Sequence, residues 1–177
     1  MLNIRENIAK VAIIATYALA LGALPHAFAA DVMDSQKNPA VVKVEDPLQE
    51  FKNAKELTGS ELKKLLQAVG FEGKALRTAW AVAMKESNGR PLAHNTNVST
   101  GDNSYGIYQI NMIGDLGPTR REKFDLKANA DLLDPVTNAK IAYFMTAGGK
   151  DWSSWKIYPG QNNGERCNAF FEQFALI

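Results

Sequence analysis

Cysteine is almost absent: Cys167 stands alone among 177 residues. A single thiol excludes an internal disulfide, so the fold must rest on its apolar core. A strong charge of one sign is missing too. Twenty Lys and Arg face nineteen Asp and Glu, which argues against nucleic acid or an anionic membrane as the main partner. Histidine is scarce, with only His26 and His94. His26 falls in a segment expected to be removed, and His94 then has no partner at ligand spacing, so no metal site is expected. No phosphate-binding glycine loop occurs, and no cofactor is expected. There is no internal repeat and no second binding module. The longest apolar run, Val11 to Leu24, falls short of the roughly 20 residues that a spanning helix needs.

That run has another reading. Arg5 and Lys10 precede it, Pro25 breaks it, and "AFAAD" places small residues before a cut after Ala29. This is the pattern of a secretory signal peptide over residues 1–29, with an uncleaved anchor as the alternative. The expected product is an exported protein, periplasmic or secreted, without stable membrane insertion. Removal of Arg5, Lys10 and Glu6 leaves the mature chain formally neutral. Residues 30–46 are polar, proline-punctuated and aperiodic, and read as a linker or loose arm. The remaining residues, 47–177, form the expected domain.

This domain reads as mainly α. Leu48, Phe51 and Leu57 suggest a short first helix. In "SELKKLLQAVG" Ser60 is the expected cap, Leu62, Leu65, Leu66 and Val69 make one face, and Gly70 ends the helix. The next helix is the most apolar, with Leu76, Ala79, Trp80, Ala83 and Met84 spaced three and four apart, closed by Gly89 and Pro91. From His94 to Gly117 the helical stripe disappears. There the alternation of Tyr105, Ile107 and Gln109 fits either a short strand or a segment folded back into a helix. Pro118 opens a short helix through Phe124. Asp134 caps another helix with Pro135 in its first turn, turning Val136, Ala139, Ala142 and Phe144 inward. Cys167 reads as a small buried hydrophobe on a terminal helix, beside Phe170, Phe171 and Phe174.

The chemistry centres on "AMKESNGRP". Glu86 occupies the last turn of the most apolar helix. The negative end of the macrodipole and neighbours such as Trp80 and Met84, if they pack near it, would disfavour its ionisation. A carboxyl group held protonated in this way is what a general acid requires. A solvated surface glutamate beside Lys85 is the plain alternative. Tyr105, Tyr108, Gln109, Asn111, Trp152, Trp155 and Tyr158 offer the mix of rings and amides that a sugar groove needs. Core packing is the competing role for the tryptophans, at least one of which it should claim. Asn95, Asn97 and Asn103 read as turn residues. Asp102, in "TGDNSYG", is the nearest possible second acid, with turn capping as its other role, and Asp115 is a further candidate.

In order along the chain, "ESNGRP", "GDNSYGIYQIN", "DPVTNAKIAY" and "WSSWKIY" resemble the lysozyme-like lytic transglycosylases over about residues 56–160. The likeness is greatest to small soluble-transglycosylase domains of phage and bacterial cell-wall proteins, and more distant to goose-type lysozymes. The resemblance implies a lysozyme-like helical fold with a small irregular or β insertion after the catalytic helix. It implies that Glu86 is the single catalytic glutamate and Ser87 a supporting polar contact. Gly106, Ile107, Tyr108, Gln109 and Ile110 match a Gly-Leu-Met-Gln-Ile motif that lines the sugar groove, with Gln109 facing substrate. Asn111 stands where goose-type lysozymes carry an acid. Tyr158 matches the tyrosine of a third motif, but Pro159 replaces the asparagine that usually follows it.

The implied partner is the glycan strand of peptidoglycan, and the protein is expected to act as a monomer. The implied reaction is lysis of the β-1,4 bond between N-acetylmuramic acid and N-acetylglucosamine, giving 1,6-anhydro-muramoyl ends. A goose-type muramidase using water, with Asp102 as second acid, is the enzymatic alternative. A non-catalytic peptidoglycan-binding or assembly protein is the alternative of another class.

Overall fold

The computed structural model describes residues 46–157 and 165–177. The expected signal peptide, almost all of the expected arm, and Tyr158 with Pro159 lie outside the described residues. Five α-helices and a three-stranded sheet make up the described part, together with short 3-10 turns. This is the mainly helical architecture with a small β insertion that the sequence implied.

Helix α1 (Gly59–Val69) starts at a reciprocal cap. Thr58 Oγ1 accepts from Glu61 N at 3.2 Å, and Glu61 Oε2 accepts from Thr58 N at 2.8 Å. Each side chain thereby satisfies an amide that the helix leaves unpaired. The cap is therefore Thr58 and not Ser60, because only Thr58 has a glutamate three residues on. Leu62, Leu65 and Leu66 are fully buried, and Gly70 ends the helix at φ 116°. The stretch from Leu48 to Leu57 makes only a 3-10 turn over Gln49–Phe51, anchored by buried Phe51.

Helix α2 (Gly73–Ser87) is the core of the domain. Leu76, Ala79, Trp80, Val82 and Ala83 are buried, on more than one face. It packs against α1 and against α5 (Glu165–Phe174). Phe174 meets the Trp80 ring edge-on at 5.8 Å, and the Arg77 guanidinium lies 4.7 Å from the Phe171 ring centre. Cys167 is buried on α5, as its apolar setting suggested. Asn88, at φ 57°, takes the left-handed position that stops α2, one residue before the expected Gly89.

Beyond α2 the chain forms an antiparallel sheet of β1 (His94–Asn95), β2 (Ser104–Tyr105) and β3 (Ile110–Asn111). His94 pairs with Tyr105, and Tyr105 with Ile110. Tyr105 thus lies on a strand, while Ile107 and Gln109 belong to the turn joining β2 to β3. Helix α3 (Leu116–Phe124) follows. Helix α4 (Pro135–Met145) begins as expected, with Asp134 Oδ2 accepting from Thr137 N at 3.0 Å and Pro135 in the first turn. Val136, Ala139 and Ala142 are buried, but Phe144 is 60% exposed. Its ring lies edge-on to Phe124 at 5.5 Å, with the Lys123 ammonium 4.9 Å from its centre. Contact with α3 at the surface replaces the inward position expected for Phe144.

Candidate active site

Glu86 occupies the last turn of α2, and its side chain is 23% exposed. Its Oε1 lies 2.8 Å from Lys85 Nζ, the sole ion pair among the described residues. The carboxylate lines two adjoining lobes of a surface groove. One, of about 390 Å³, includes Glu86, Asp102, Gln109, Asn111, Arg120 and Trp155. The other, of about 560 Å³, includes Glu86, Arg90, His94, Asn95 and Gln109. Glu86 and Gln109 thus stand where the lobes meet. Neither Trp80 nor Met84 lines these lobes. Trp80 Nε1 instead donates to Gly59 O at 2.9 Å, and the lobes beside Glu86 are lined mainly by polar residues where apolar neighbours were expected.

The turn over residues 106–109 is fastened to α2 at two points. Ser87 Oγ donates to Ile107 O at 2.8 Å, and Tyr108 Oη donates to Ala79 O at 3.0 Å. A third tie comes from α4. Asn138, fully buried, accepts from Tyr108 N at 3.0 Å and donates to Tyr105 O at 2.9 Å and Leu132 O at 2.8 Å. A buried amide saturated in this way fixes the hairpin's position, since each unmade bond would leave a desolvated polar group. Gly106 sits against this hub. A Cβ there would lie 2.3 Å from Asn138 Nδ2 and from Leu132 O, and its φ is 74°. Only glycine permits both the conformation and the approach.

The predicted site residues therefore divide by role. Gln109, at φ 47°, stays at the groove, its Nε2 donating to Ala93 O at 3.1 Å and Gly106 O at 2.9 Å. Tyr108 does not reach the groove. Its ring is fully buried, 6.1 Å from Trp152 and 5.9 Å from Trp155, because its hydroxyl finds a partner only on α2. Burial of the phenol raises its pKa well above the ordinary value. Ser87 and Gly106 are likewise buried, so they support the turn and offer no groove surface. Asn111 lines the groove with its amide engaged: Oδ1 accepts from Ile113 N at 3.0 Å and Nδ2 donates to Gly101 O at 3.0 Å. Tyr105 stacks on His94 at 4.0 Å, beside the second lobe. Tyr158 lies outside the described residues.

Asp102 shares a lobe with Glu86, yet both of its oxygens are occupied. Oδ2 accepts from Asn95 Nδ2 at 2.5 Å and Oδ1 accepts from Ser104 Oγ. Asn97 opens a turn as expected, its O accepting from Thr100 N at 3.1 Å, whereas Asn95 lies on β1, its Oδ1 accepting from Asn97 N at 3.2 Å. Both tryptophans belong to the core. Trp152 Nε1 donates to Gly149 O at 3.0 Å, while Trp155 Nε1 donates to Tyr108 O at 2.8 Å and its edge reaches the groove. Asn138 and Arg120 were not singled out from the sequence. An asparagine inside the apolar stripe of "DPVTNAKIAY" was the available signal for the first, because a buried amide needs partners. Arg120 carried no such signal.

The structure thus presents one glutamate at a helix end, beside a glycine-dependent hairpin along a polar groove. Residues 63–157 match the family described as lysozyme-like domain, and the chain belongs to that family. The family points to a peptidoglycan-acting, lysozyme-like enzyme. Comparison with curated proteins and with solved structures returned no match.

Proposed function

We propose that the protein is an exported peptidoglycan lytic transglycosylase working through the single acid Glu86. The observation that carries this reading is the contrast between the two groove carboxylates. Glu86 Oε2 has no protein partner among the described residues, whereas both oxygens of Asp102 are engaged. A two-carboxylate hydrolase needs a second acid free to activate water or to attack the sugar. With Glu86 as the groove carboxylate that keeps an unengaged oxygen, the substrate's own groups complete the reaction.

The steps balance without water. Glu86 delivers its proton to the glycosidic oxygen as the bond to C1 of the muramoyl residue breaks, and N-acetylglucosamine departs as the alcohol. The acetamido oxygen of the muramoyl residue shares the positive charge at C1. Glu86, now a carboxylate, takes the proton of the muramoyl 6-hydroxyl while O6 bonds to C1, closing the 1,6-anhydro ring. One residue acts as acid and then as base. Lys85 beside Oε1 stabilises the carboxylate between the two transfers.

Mass spectrometry of digested sacculi tests the proposal. Anhydro-muramoyl ends are expected, and Glu86→Gln should bind glycan but lose turnover by at least about a hundredfold. Reducing ends would overturn the transglycosylase reading in favour of a muramidase with Asp102 as second acid. If the unaltered protein fails to clear sacculi, a non-catalytic binding role replaces both.

A further inference from the structure

The chain is close to electrically neutral, but the lobe on the Asp102 side of Glu86 is not. Lys85 is matched by Glu86. Asp102 is the remaining carboxylate there, and its oxygens are taken up by Asn95 and Ser104. Against it stand two cations, Arg120 and Lys156, and neither meets a carboxylate among the described residues.

Arg120 is held in place, and Lys156 is exposed at the groove rim. Arg120, on α3, is half-buried, and its Nη1 donates to Asn111 O, the backbone of β3. Its remaining guanidinium N–H groups form a rigid fork suited to a carboxylate. Burial pulls its pKa below the ordinary range, the signature of a desolvated cation with no neighbouring anion to offset the cost. Lys156 follows the 3-10 turn Ser153–Trp155 and holds a left-handed backbone at φ 54°. The adjacent Trp155 is anchored to Tyr108 O, so the lysine projects from a fixed support at the groove rim. Arg120 is half-buried with no carboxylate partner among the described residues, a desolvation cost that an anionic ligand would offset.

We infer that this lobe is a carboxylate-recognition subsite, in which Arg120 and Lys156 bind an acidic substituent of the glycan strand and so select muramoyl-containing strands over neutral amino-sugar polymers. The inference rests on the proposed reading of the groove as a glycan site. The carboxylate has two sources: the lactyl group of a muramoyl residue stripped of peptide, or the acidic residues of an intact stem peptide. The shared chemistry is a planar anion next to the sugar chain, which bidentate arginine contacts suit.

Binding measured with the full chain carrying Glu86→Gln separates the possibilities without turnover. Three probes serve: a chitin oligosaccharide, which has no carboxylate; amidase-stripped glycan strands, which carry only lactyl carboxylates; and peptide-bearing strands. One or both acidic probes should bind about tenfold more tightly than the chitin oligosaccharide at low salt, and the advantage should shrink at high salt. Preference for stripped strands assigns the lactyl group, and preference confined to peptide-bearing strands assigns the stem. Arg120→Gln and Lys156→Gln should each erase most of the preference, while Arg120→Lys keeps part of it. Should Arg120→Gln fail to fold, exposed Lys156 decides by itself. Equal affinity for all three probes, or a preference untouched by the Lys156 and folded Arg120 variants, overturns the inference. Product analysis of the unaltered enzyme reports separately on the transglycosylase reading, so the two can fail independently.

Discussion

At the scale of single residues, the site depends on one buried amide. Asn138 joins the turn of β2 and β3 to the 3-10 turn before α4 through three bonds to backbone atoms. Asn138→Ala would leave Tyr108 N, Tyr105 O and Leu132 O without that partner in a buried setting. We expect a loss of about 2–4 kcal/mol in stability, read from urea unfolding. A loss under about 0.5 kcal/mol would mean that water replaces the amide. Some residue-level features were legible beforehand. Glu86, Gln109 and the glycine at 106 could be marked because the segments that hold them resemble motifs of the lytic transglycosylases. The role of Tyr108 was not legible: a tyrosine between Ile107 and Gln109 suits a sugar platform and a core equally. Only the position of Ala79 O, one helix away, decides between them.

Elements carry a different kind of information. The Thr58–Glu61 cap is local, and its energetics depend on pH. Hydrogen bonds from the Thr58 backbone and hydroxyl hold the Glu61 carboxyl below its usual range. A folded pKa below the unfolded one means that the stabilisation is fully present above the unfolded value. It is lost as pH falls through the folded value, in the acid region below about 4.5. Thr58→Ala should therefore lower the melting temperature by about 3–5 °C near neutral pH. The gap between variant and unaltered protein should narrow in melts taken below pH 4. A gap that stays constant across that range would show that the bond from the Thr58 hydroxyl to the carboxylate takes no part. Helix boundaries set by local chemistry were readable in advance, as at Asp134 and Gly70. The cap of α1 was misplaced by two residues because Ser60 and Thr58 are both capping types. The reciprocal glutamate at Glu61 distinguishes them.

For the molecule as a whole, the packing of α5 on α2 brings distant chemistry together. Burial pushes the Cys167 thiol up, Lys85 pulls it down less strongly, and Glu86 adds a further rise. Helix α5 packs on α2, the helix whose last turn carries Glu86. A thiol both buried and raised in pKa is a poor nucleophile. Cys167 should resist a thiol-reactive disulfide reagent in the native protein at pH 7.5 and react fully in denaturant. Rapid native labelling would show that α5 detaches from α2.

The sequence by itself determined the helical class and several helix ends, such as Asp134 and Gly70, and its resemblance to a known family singled out Glu86 and the hairpin motif. The helical class and those helix ends follow from periodicity and from chemistry within a few residues along the chain. Tertiary structure alone decided which side chains line the groove and which buttress it. It buried Tyr108, Ser87, Trp152 and Trp155, turned Phe144 outward, and placed Arg120 beside Asn111. The reason is physical: whether an aromatic or polar side chain is buried depends on hydrogen-bond partners supplied by other elements. Those partners, such as Ala79 O for Tyr108 and Asn138 for the hairpin, lie about 30 residues away in sequence.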